Sequence, residues 1–380
     1  MCYSSFWPMQ PHSALHSPLV EKKFVRPDGT SFWQFLTNEK IVFSKKDFPF
    51  LTTAAIPQVK PIFDFTHYLT LNSKGEALSY LYSGLGGALK YVGPVLDREL
   101  THGFNDHTDR HTLWVSQTGV EVMQRAGISS SGAHPFNPKT EVLMTLVGMM
   151  HDLGNLITRK EHSTYSAWLL SRLFTNTKQH PDEWRLALYA VLFHEEPVLV
   201  SLGQDLKAGN PLQWALVAAD KMHVGRDRVG GRSFESGVKN GAFEDDIHIL
   251  LNALIVRSSW HLGVGAFVWN LDFSVDQLEE RFETFTKGST RLWMPTIFQK
   301  LFLSKGKMYR ESFMEHFNTL YEDRMLLAAR CVFLLFPYIH TFKVVLTDND
   351  TRSKVGSSQM TVRVLSRAQV ESLARKHTTS

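Results

Sequence analysis

Six histidine and aspartate side chains in the middle of the chain have the types and the settings that metal binding requires. Several of them close or interrupt apolar runs, as in "MMHDLGN" (149–155) and "LFHEEP" (192–197), where a solvated face is not expected. Buried ionisable groups are costly unless they are paired or bind a metal. The sequence therefore predicts one or two divalent cations held by these six residues: His111, His151, Asp152, His162, His194 and Asp220.

Cysteine usage narrows the kind of metal site. The chain has 2 cysteines and 17 histidines, which excludes a thiolate cluster and a disulfide framework. Imidazole and carboxylate ligands suit manganese, iron, magnesium or zinc. If Asp152 bridges two such ions, they would lower the pKa of a bound water and clamp both oxygens of an in-line displacement at phosphorus. The ligand types therefore favour phosphoryl chemistry.

No single histidine carries this inference, because a lone helical histidine is usually exposed or satisfied within the core. The order of the whole set, H…HD…H…H…D, is what makes the pattern specific. His107 lies four residues before His111. We expect His107 to support the site or to lie on the surface rather than to bind the metal.

The chain resembles the HD-domain superfamily of metal-dependent phosphohydrolases, and within it a branch of uncharacterised bacterial and archaeal proteins. The similarity covers residues 100–240 and rests on five motifs: "NDHTDRH", "HDLGN", "EHSTYSAWLL", "FHEE" and "AADKMHVGRDRV". The resemblance implies that four side chains hold a first metal: His111, His151, Asp152 and Asp220. It also implies that Asp152 bridges to a second metal held by His162 and His194.

Position 155 departs from the superfamily, since many relatives carry a lysine there that reaches the substrate phosphate, and this chain has Asn155. Three later cations are predicted to bind the phosphate instead: Lys221, Arg226 and Arg228. Arginine binds phosphate oxygens in pairs and lysine acts as a point charge. These cations are also consistent with a solvated helix end, where they would complement the helix dipole. Glu195 is predicted either to orient a ligand or to take a proton.

The predicted function is hydrolysis of a phosphomonoester or phosphodiester of a nucleotide or related small metabolite by a metal-activated hydroxide. Asp152 and Glu195 are the predicted catalytic residues. Two alternatives stay open at this point. The same ligands suit a di-iron oxygenase of HD type that activates dioxygen. The metal is also compatible with a structural role in a non-catalytic binding or signalling module.

Helices must position these ligands, because residues 76–240 carry apolar residues at helical spacing, with Gly, Pro or Asn at most breaks. We predict a mainly α fold in three parts. Residues 1–75 form an N-terminal extension, partly β or irregular, with a hairpin at 23–37. Residues 76–240 form the helical metal-binding domain, and residues 241–380 form a small C-terminal α/β lobe.

The C-terminal lobe contains four β-rich runs: "IVRSSWHLG", "GAFVWNLDFS", "TFKVVLTDND" and "QMTVRVLS". Their content of β-branched and aromatic residues predicts strands. We expect the third run to be an edge strand, and an exposed edge offers a pairing surface for a homo-oligomer.

Composition and charge exclude several classes of partner. The formal net charge of +4 gives no reason to expect nucleic acid or an anionic membrane. No run approaches the length that a membrane span needs. The first residues lack the pattern of a secretory signal, so we expect a cytoplasmic protein, while their serines and near absence of acids leave organelle targeting open. The predicted partner is a small, phosphorylated, nucleotide-like substrate.

Overall fold

The computed structural model describes residues 61–89, 109–156, 162–195, 209–229, 247–274, 277, 309–349 and 359–378. Helix predominates within these ranges, which confirms the predicted mainly α fold. The predicted hairpin at 23–37 and His107 lie outside the described residues. None of the described helices is long and apolar enough to cross a membrane.

The predicted periodic runs within residues 109–222 form helices in the structure. The α-helices are α1 (Phe65–Tyr68), α2 (Lys74–Leu89), α3 (Asp109–Ala126), α4 (Pro138–Met150), α5 (His162–Leu173), α6 (Pro181–Leu192), α7 (Pro211–Met222), α8 (Ile247–Leu254), α9 (Tyr309–Leu320), α10 (Glu322–Leu335) and α11 (Arg367–Thr378). Short 3₁₀ helices cover Leu153–Leu156, Thr177–Gln179 and Arg226–Arg228.

The described residues divide into two compact units. Unit 1 comprises residues 61–89, 112–156, 162–195, 209–219 and 377–378, and unit 2 comprises 109–111, 220–229, 247–274, 277, 309–349 and 359–376. The divisions fall inside helices, since α3 is divided after His111, α7 after Ala219 and α11 after Lys376. The predicted three-part division of the chain stays a prediction.

Helix α4 lies at the centre of unit 1. Every residue from Val142 to Met150 is buried, and a helix that is apolar all round belongs in a core. Pro138 occupies its first turn, and the Asn137 side chain caps it by accepting from the Thr140 N–H. A methyl group on Gly148 would lie 2.5 Å from the Ser116 Cα of α3, so glycine permits the close approach of these two helices. The predicted HD pair follows directly on this buried helix.

A short parallel strand pair joins two distant parts of unit 1. Strand β1 (Phe63–Asp64) pairs with β2 (Phe174–Thr175), which follows α5. The Phe63 and Phe174 rings lie 5.0 Å apart, and Phe65 contacts Trp184 of α6 at 4.8 Å. Residues 63–65, in a part of the chain that the sequence left unassigned, therefore pack beside α5 and α6.

Unit 2 contains a four-stranded mixed sheet in the order β3-β4-β5-β6. Its strands are β3 (Ile255–Gly263), β4 (Ala266–Phe273), β5 (Thr341–Asp348) and β6 (Gln359–Ser366), which confirms the four predicted strand runs. The outer pairs are antiparallel, and the inner pair β4–β5 is parallel. Parallel neighbours need a long crossover connection, and α9 and α10 lie within it.

The prediction that "TFKVVLTDND" forms an edge strand is wrong. Strand β5 is hydrogen-bonded to β4 on one side and to β6 on the other, so the edges of this sheet are β3 and β6. Its alternating burial, with Phe342, Val344 and Leu346 inward, resembles that of a half-exposed edge strand. Alternation reports which face of a strand is buried and carries no information about whether a second neighbour is present.

Candidate metal centre

All six predicted ligands are buried, as the sequence analysis expected. Their exposed fractions run from 0% at His151 to 8% at His162. Four of them lie in unit 1 and two in unit 2: His151, Asp152, His162 and His194, and then His111 and Asp220.

The four unit 1 ligands converge from three helix ends. His151 and Asp152 follow α4, His162 is the first residue of α5, and His194 follows α6. The His162 Nε2 lies 3.2 Å from Asp152 Oδ1 and 3.2 Å from His194 Nε2. The His151 Nε2 lies 3.4 Å from Asp152 Oδ2, and His194 Nε2 lies 3.8 Å from Asp152 Oδ1. Asp152 is thus the common neighbour of three imidazoles.

The second ring nitrogen of each imidazole is held by a hydrogen bond. His151 Nδ1 lies 2.8 Å from the Gly148 carbonyl oxygen, and His194 Nδ1 lies 2.7 Å from that of Val191. These carbonyls belong to the last turns of α4 and α6, where backbone acceptors lack helical donors. Because a carbonyl only accepts, both Nδ1 atoms carry the proton. In the neutral rings, the Nε2 atoms are then the lone-pair nitrogens.

His162 has a carboxylate in the same role. Its Nδ1 lies 3.2 Å from Glu195 Oε1, and Ser163 Oγ donates to Glu195 Oε2 at 3.2 Å. Metal-binding histidines commonly donate their remote N–H to a carboxylate or a carbonyl, which sets the tautomer and ring orientation. Of the two predicted roles for Glu195, the contact with His162 supports that of orienting a ligand.

The donor set fits a divalent cation. The Nε2 atoms of His162 and His194 lie 3.2 Å apart, and two imidazole nitrogens this close need either a proton or a cation between them. Metal–nitrogen bonds of about 2.0–2.1 Å place neighbouring ligand atoms roughly 3 Å apart. Ligand atoms of His151, Asp152 and His194 also lie within 4.8 Å of one another. Buried histidine and aspartate groups that could hold a metal ion are therefore present.

Residues 153–155 keep the Asp152 backbone in place. The Asn155 backbone N–H and its Nδ2 both donate to the Asp152 carbonyl oxygen, at 2.9 and 3.0 Å. The Gly154 N–H donates to Ser166 Oγ of α5 at 2.7 Å. A methyl group on Gly154 would lie 2.0 Å from the His162 carbonyl oxygen, so only glycine fits there. Asn155, which stands where many HD proteins have lysine, supports the turn that presents the HD pair.

In unit 2, His111 and Asp220 form a second buried cluster. His111 Nε2 lies 3.3 Å from Asp220 Oδ1, and Lys221 Nζ lies 2.7 Å from Asp220 Oδ2. His111 Nδ1 lies 2.6 Å from His223 Nδ1, and His223 Nε2 lies 2.9 Å from Asp227 Oδ2. The structure therefore brings together two predicted ligands, one predicted phosphate-binding lysine and two residues that the sequence analysis did not single out.

Burial and hydrogen bonding set the charge states of His223 and Asp227. Burial lowers the pKa of His223 to about 3, against the raising effect of its hydrogen bond to Asp227, so the imidazole is neutral near pH 7. Burial would raise the pKa of Asp227, but the hydrogen bond from His223 holds it below its usual range. Asp227 is therefore ionised and accepts the His223 Nε2–H. The sequence signal was a histidine and an aspartate four residues apart, directly after the Asp220 helix.

The three predicted phosphate-binding cations have unlike surroundings. Lys221 is buried and paired with Asp220, whereas Arg226 is exposed and donates to Gln277 Oε1. Arg228 is 1% exposed, and its guanidinium donates to the His223 carbonyl oxygen at 3.1 Å. Because Lys221 and Arg228 are buried, the alternative that they are solvated cations at a helix end does not apply to them. Phosphate binding by these three residues stays a prediction.

No model of a known protein family matches the chain, and neither a curated protein nor a solved structure does. The resemblance to HD proteins consequently rests on the motifs in the sequence. The buried clusters are consistent with a site of that type.

Proposed function

We propose that this chain is a metal-dependent phosphohydrolase of HD type that acts on a phosphomonoester or phosphodiester of a small, nucleotide-like metabolite. One observation carries the proposal. The buried Nε2 atoms of His162 and His194 face each other across 3.2 Å beside the Asp152 carboxylate. A divalent cation satisfies this arrangement, and the order of the ligands in the sequence is that of HD phosphohydrolases.

Four residues of unit 1 would hold metal: His151, Asp152, His162 and His194. The two oxygens of Asp152 face different imidazoles, since Oδ2 is next to His151 whereas Oδ1 is next to His162 and His194. This division supports a bridging role for Asp152 between two ions. When bound, such ions supply Lewis acids that lower the pKa of water and neutralise charge at phosphorus.

The residues of this chain would prepare the site for that chemistry. Gly148 and Val191 hold the Nδ1 protons of His151 and His194, and Glu195 holds that of His162. Their Nε2 atoms are thereby kept as ligands before metal arrives, and no reorientation is needed. The resemblance further assigns His111 and Asp220 to the first metal and Lys221, Arg226 and Arg228 to the phosphate, and these assignments stay predictions.

Metal content tests the first half of the proposal. We would purify the protein without added metal or oxygen, and measure bound metals in the wild type and in Asp152→Ala. We expect one or two transition-metal ions per chain in the wild type and none in the variant. Asp182→Ala, which removes an 86% exposed carboxylate in the same unit, is the matched control and should retain them. A folded, metal-free wild type that takes up no Mn²⁺, Fe²⁺ or Zn²⁺ would contradict the proposal.

Turnover tests the second part of the proposal, which is that the metal-loaded protein hydrolyses phosphoesters. The metal-loaded protein would be assayed against nucleoside monophosphates, cyclic nucleotides and an aryl phosphate, with release of phosphate or alcohol as the readout. We expect hydrolysis that Asp152→Ala abolishes. If the protein consumes oxygen with an organophosphonate or a polyol and hydrolyses no phosphoester, the oxygenase hypothesis would replace the hydrolase hypothesis. Bound metal with no turnover in either assay would instead favour a structural role for the metal.

A further inference from the structure

A chain of close polar contacts in unit 2 runs from an exposed carboxylate to a buried predicted ligand, and its first two contacts are hydrogen bonds. Asp227 Oδ2 lies 2.9 Å from His223 Nε2, His223 Nδ1 lies 2.6 Å from His111 Nδ1, and His111 Nε2 lies 3.3 Å from Asp220 Oδ1. The Asp227 side chain is 48% exposed, while both imidazoles are 1% exposed. The chain thus connects solvent to Asp220 through two rings.

The two imidazoles meet edge to edge. Their planes are within 10° of parallel and their centroids are 4.9 Å apart. That separation is close to the 2.6 Å between the Nδ1 atoms plus the two ring radii, so the centroids and both nitrogens lie nearly on one line. Rings stacked face to face would not bring the Nδ1 atoms into this alignment. The contact is therefore an in-plane N–H···N hydrogen bond between His111 and His223.

The direction of this hydrogen bond follows from its outer end. An ionised Asp227 only accepts, so His223 carries its proton on Nε2. A buried neutral imidazole protonated on Nε2 has a lone pair on Nδ1, and that atom accepts from His111. His111 then carries its proton on Nδ1. In neutral His111 this leaves Nε2, the nitrogen next to Asp220, as the lone-pair atom.

We infer that Asp227 and His223 are positioning residues that hold His111 in the tautomer whose Nε2 is available to a metal. The inference deepens the proposed function and rests on it for the metal, whereas the tautomer is a property of the protein alone. It gives His111 the same arrangement that Gly148, Val191 and Glu195 give the unit 1 histidines. The difference is that the orienting carboxylate acts through an intervening imidazole.

The local backbone builds this arrangement. His223 N–H donates to the Asp220 carbonyl oxygen at 3.3 Å as α7 ends. Gly225 then adopts a φ of 151°, a conformation that favours glycine, and its N–H donates to Asn252 Oδ1. A methyl group on Gly225 would lie 2.8 Å from Asp227 Oδ1. The turn therefore brings Asp227 back against His223.

The tautomer is measured first, on the metal-free full chain. Imidazole ¹⁵N shifts distinguish Nδ1–H from Nε2–H, and the His111 signals are assigned by their loss in His111→Ala. We expect Nδ1–H at His111 in the wild type and a mixture of tautomers in Asp227→Ala. Asp227→Asn retains an oxygen acceptor and should keep the wild-type tautomer. Because Asp227 is half exposed, neither substitution disturbs the core. A wild-type His111 protonated on Nε2 would overturn the inference.

Metal affinity is measured second, by titration with Co²⁺ and by its visible spectrum. Loss of an orienting partner typically weakens metal binding by about 10- to 100-fold, which is the change expected for Asp227→Ala and His223→Phe. His261→Phe removes an exposed histidine of β3 and should bind as the wild type does. Unchanged affinity in both test variants would overturn the inference. If the wild type shows the expected tautomer but binds no metal, the proposed function fails and the positioning role stands.

Discussion

His162 Nε2 and His194 Nε2 lie 3.2 Å apart, although the two residues belong to different helical segments of unit 1. Each ring has its Nδ1 next to an acceptor, Glu195 Oε1 for His162 and the Val191 carbonyl oxygen for His194. A surface pair would separate to hydrate both nitrogens, but these side chains are 8% and 1% exposed. The geometry is one that a single cation bound to both nitrogens could satisfy, and the metal-binding predictions below follow from it.

Removing the metal should lower stability. Without a cation, three imidazoles and the Asp152 carboxylate share a buried space. A ligand that binds only the folded state adds about 2.7 kcal/mol to the free energy of unfolding at 100 times its Kd. We expect Tm to rise with added Mn²⁺ or Zn²⁺ and to fall with a chelator, measured by calorimetry. Asp152→Ala should show no such dependence. A Tm that is independent of metal in the wild type would contradict the prediction.

Glu195→Gln should weaken metal binding without unfolding the chain. The carboxylate is partly exposed and accepts from His162 Nδ1 and Ser163 Oγ. A glutamine can still accept through its amide oxygen but brings no charge, so we expect a smaller loss than the about 10- to 100-fold loss in Glu195→Ala. Glu121→Gln, on the exposed face of α3, is the control for charge. Equal affinities in all three variants would show that Glu195 does not orient His162.

Gly154→Ala should disrupt the site by steric overlap. The added methyl group would lie 2.0 Å from the His162 carbonyl oxygen and 2.5 Å from the Ser166 backbone nitrogen, so α5 must move. Overpacking typically costs about 1–3 kcal/mol, and we expect a lower free energy of unfolding together with weaker metal binding.

Gly75→Ala is the matched control for that substitution. The nearest atom to its added methyl group is Ser73 Oγ at 3.9 Å, and alanine favours the helix by about 0.5–1 kcal/mol. Urea unfolding and metal titration would be run on both variants. A Gly154→Ala protein as stable as Gly75→Ala would mean that α5 does not lie where the structure has it.

Cys331 should be unreactive in the folded protein. Burial raises the pKa of its thiol to about 12, although Arg330 and Lys221 act in the opposite direction. Only the thiolate reacts with disulfide reagents, so both access and ionisation protect it. In Cys2→Ser, which leaves one cysteine in the chain, we expect less than one thiol titrated at pH 8 until denaturant is added. Rapid stoichiometric reaction in native buffer would contradict the burial of α10.

Local spacing was sufficient to predict many of the elements. The periodic runs that became α3 to α7 are apolar at helical intervals, and the four β-rich runs became β3 to β6. The burial of His151, His194 and Asp220 was predictable as well, because each follows an apolar stretch that has to lie in a core. Such features depend on neighbouring residues, which the sequence contains explicitly.

Pairing between distant residues was not predictable. Strand β5 alternates like an edge strand, yet it has a neighbour on each side because α9 and α10 return the chain parallel to β4. The roles of His223 and Asp227 were not predicted, for the same reason. His223 matters because it contacts His111, which lies 112 residues away in the chain. A residue pattern records which side of an element is buried, but not which atom it meets there.

Residue types and their spacing were therefore enough to predict a mainly α chain and the burial of the six candidate ligands. The tertiary structure decided which nitrogen of each ring could bind a metal. That choice depends on the acceptor at the other nitrogen: a last-turn carbonyl for His151 and His194, Glu195 for His162, and His223 for His111. Hydrogen bonds act over about 3 Å, so only folding can bring those acceptors to the rings.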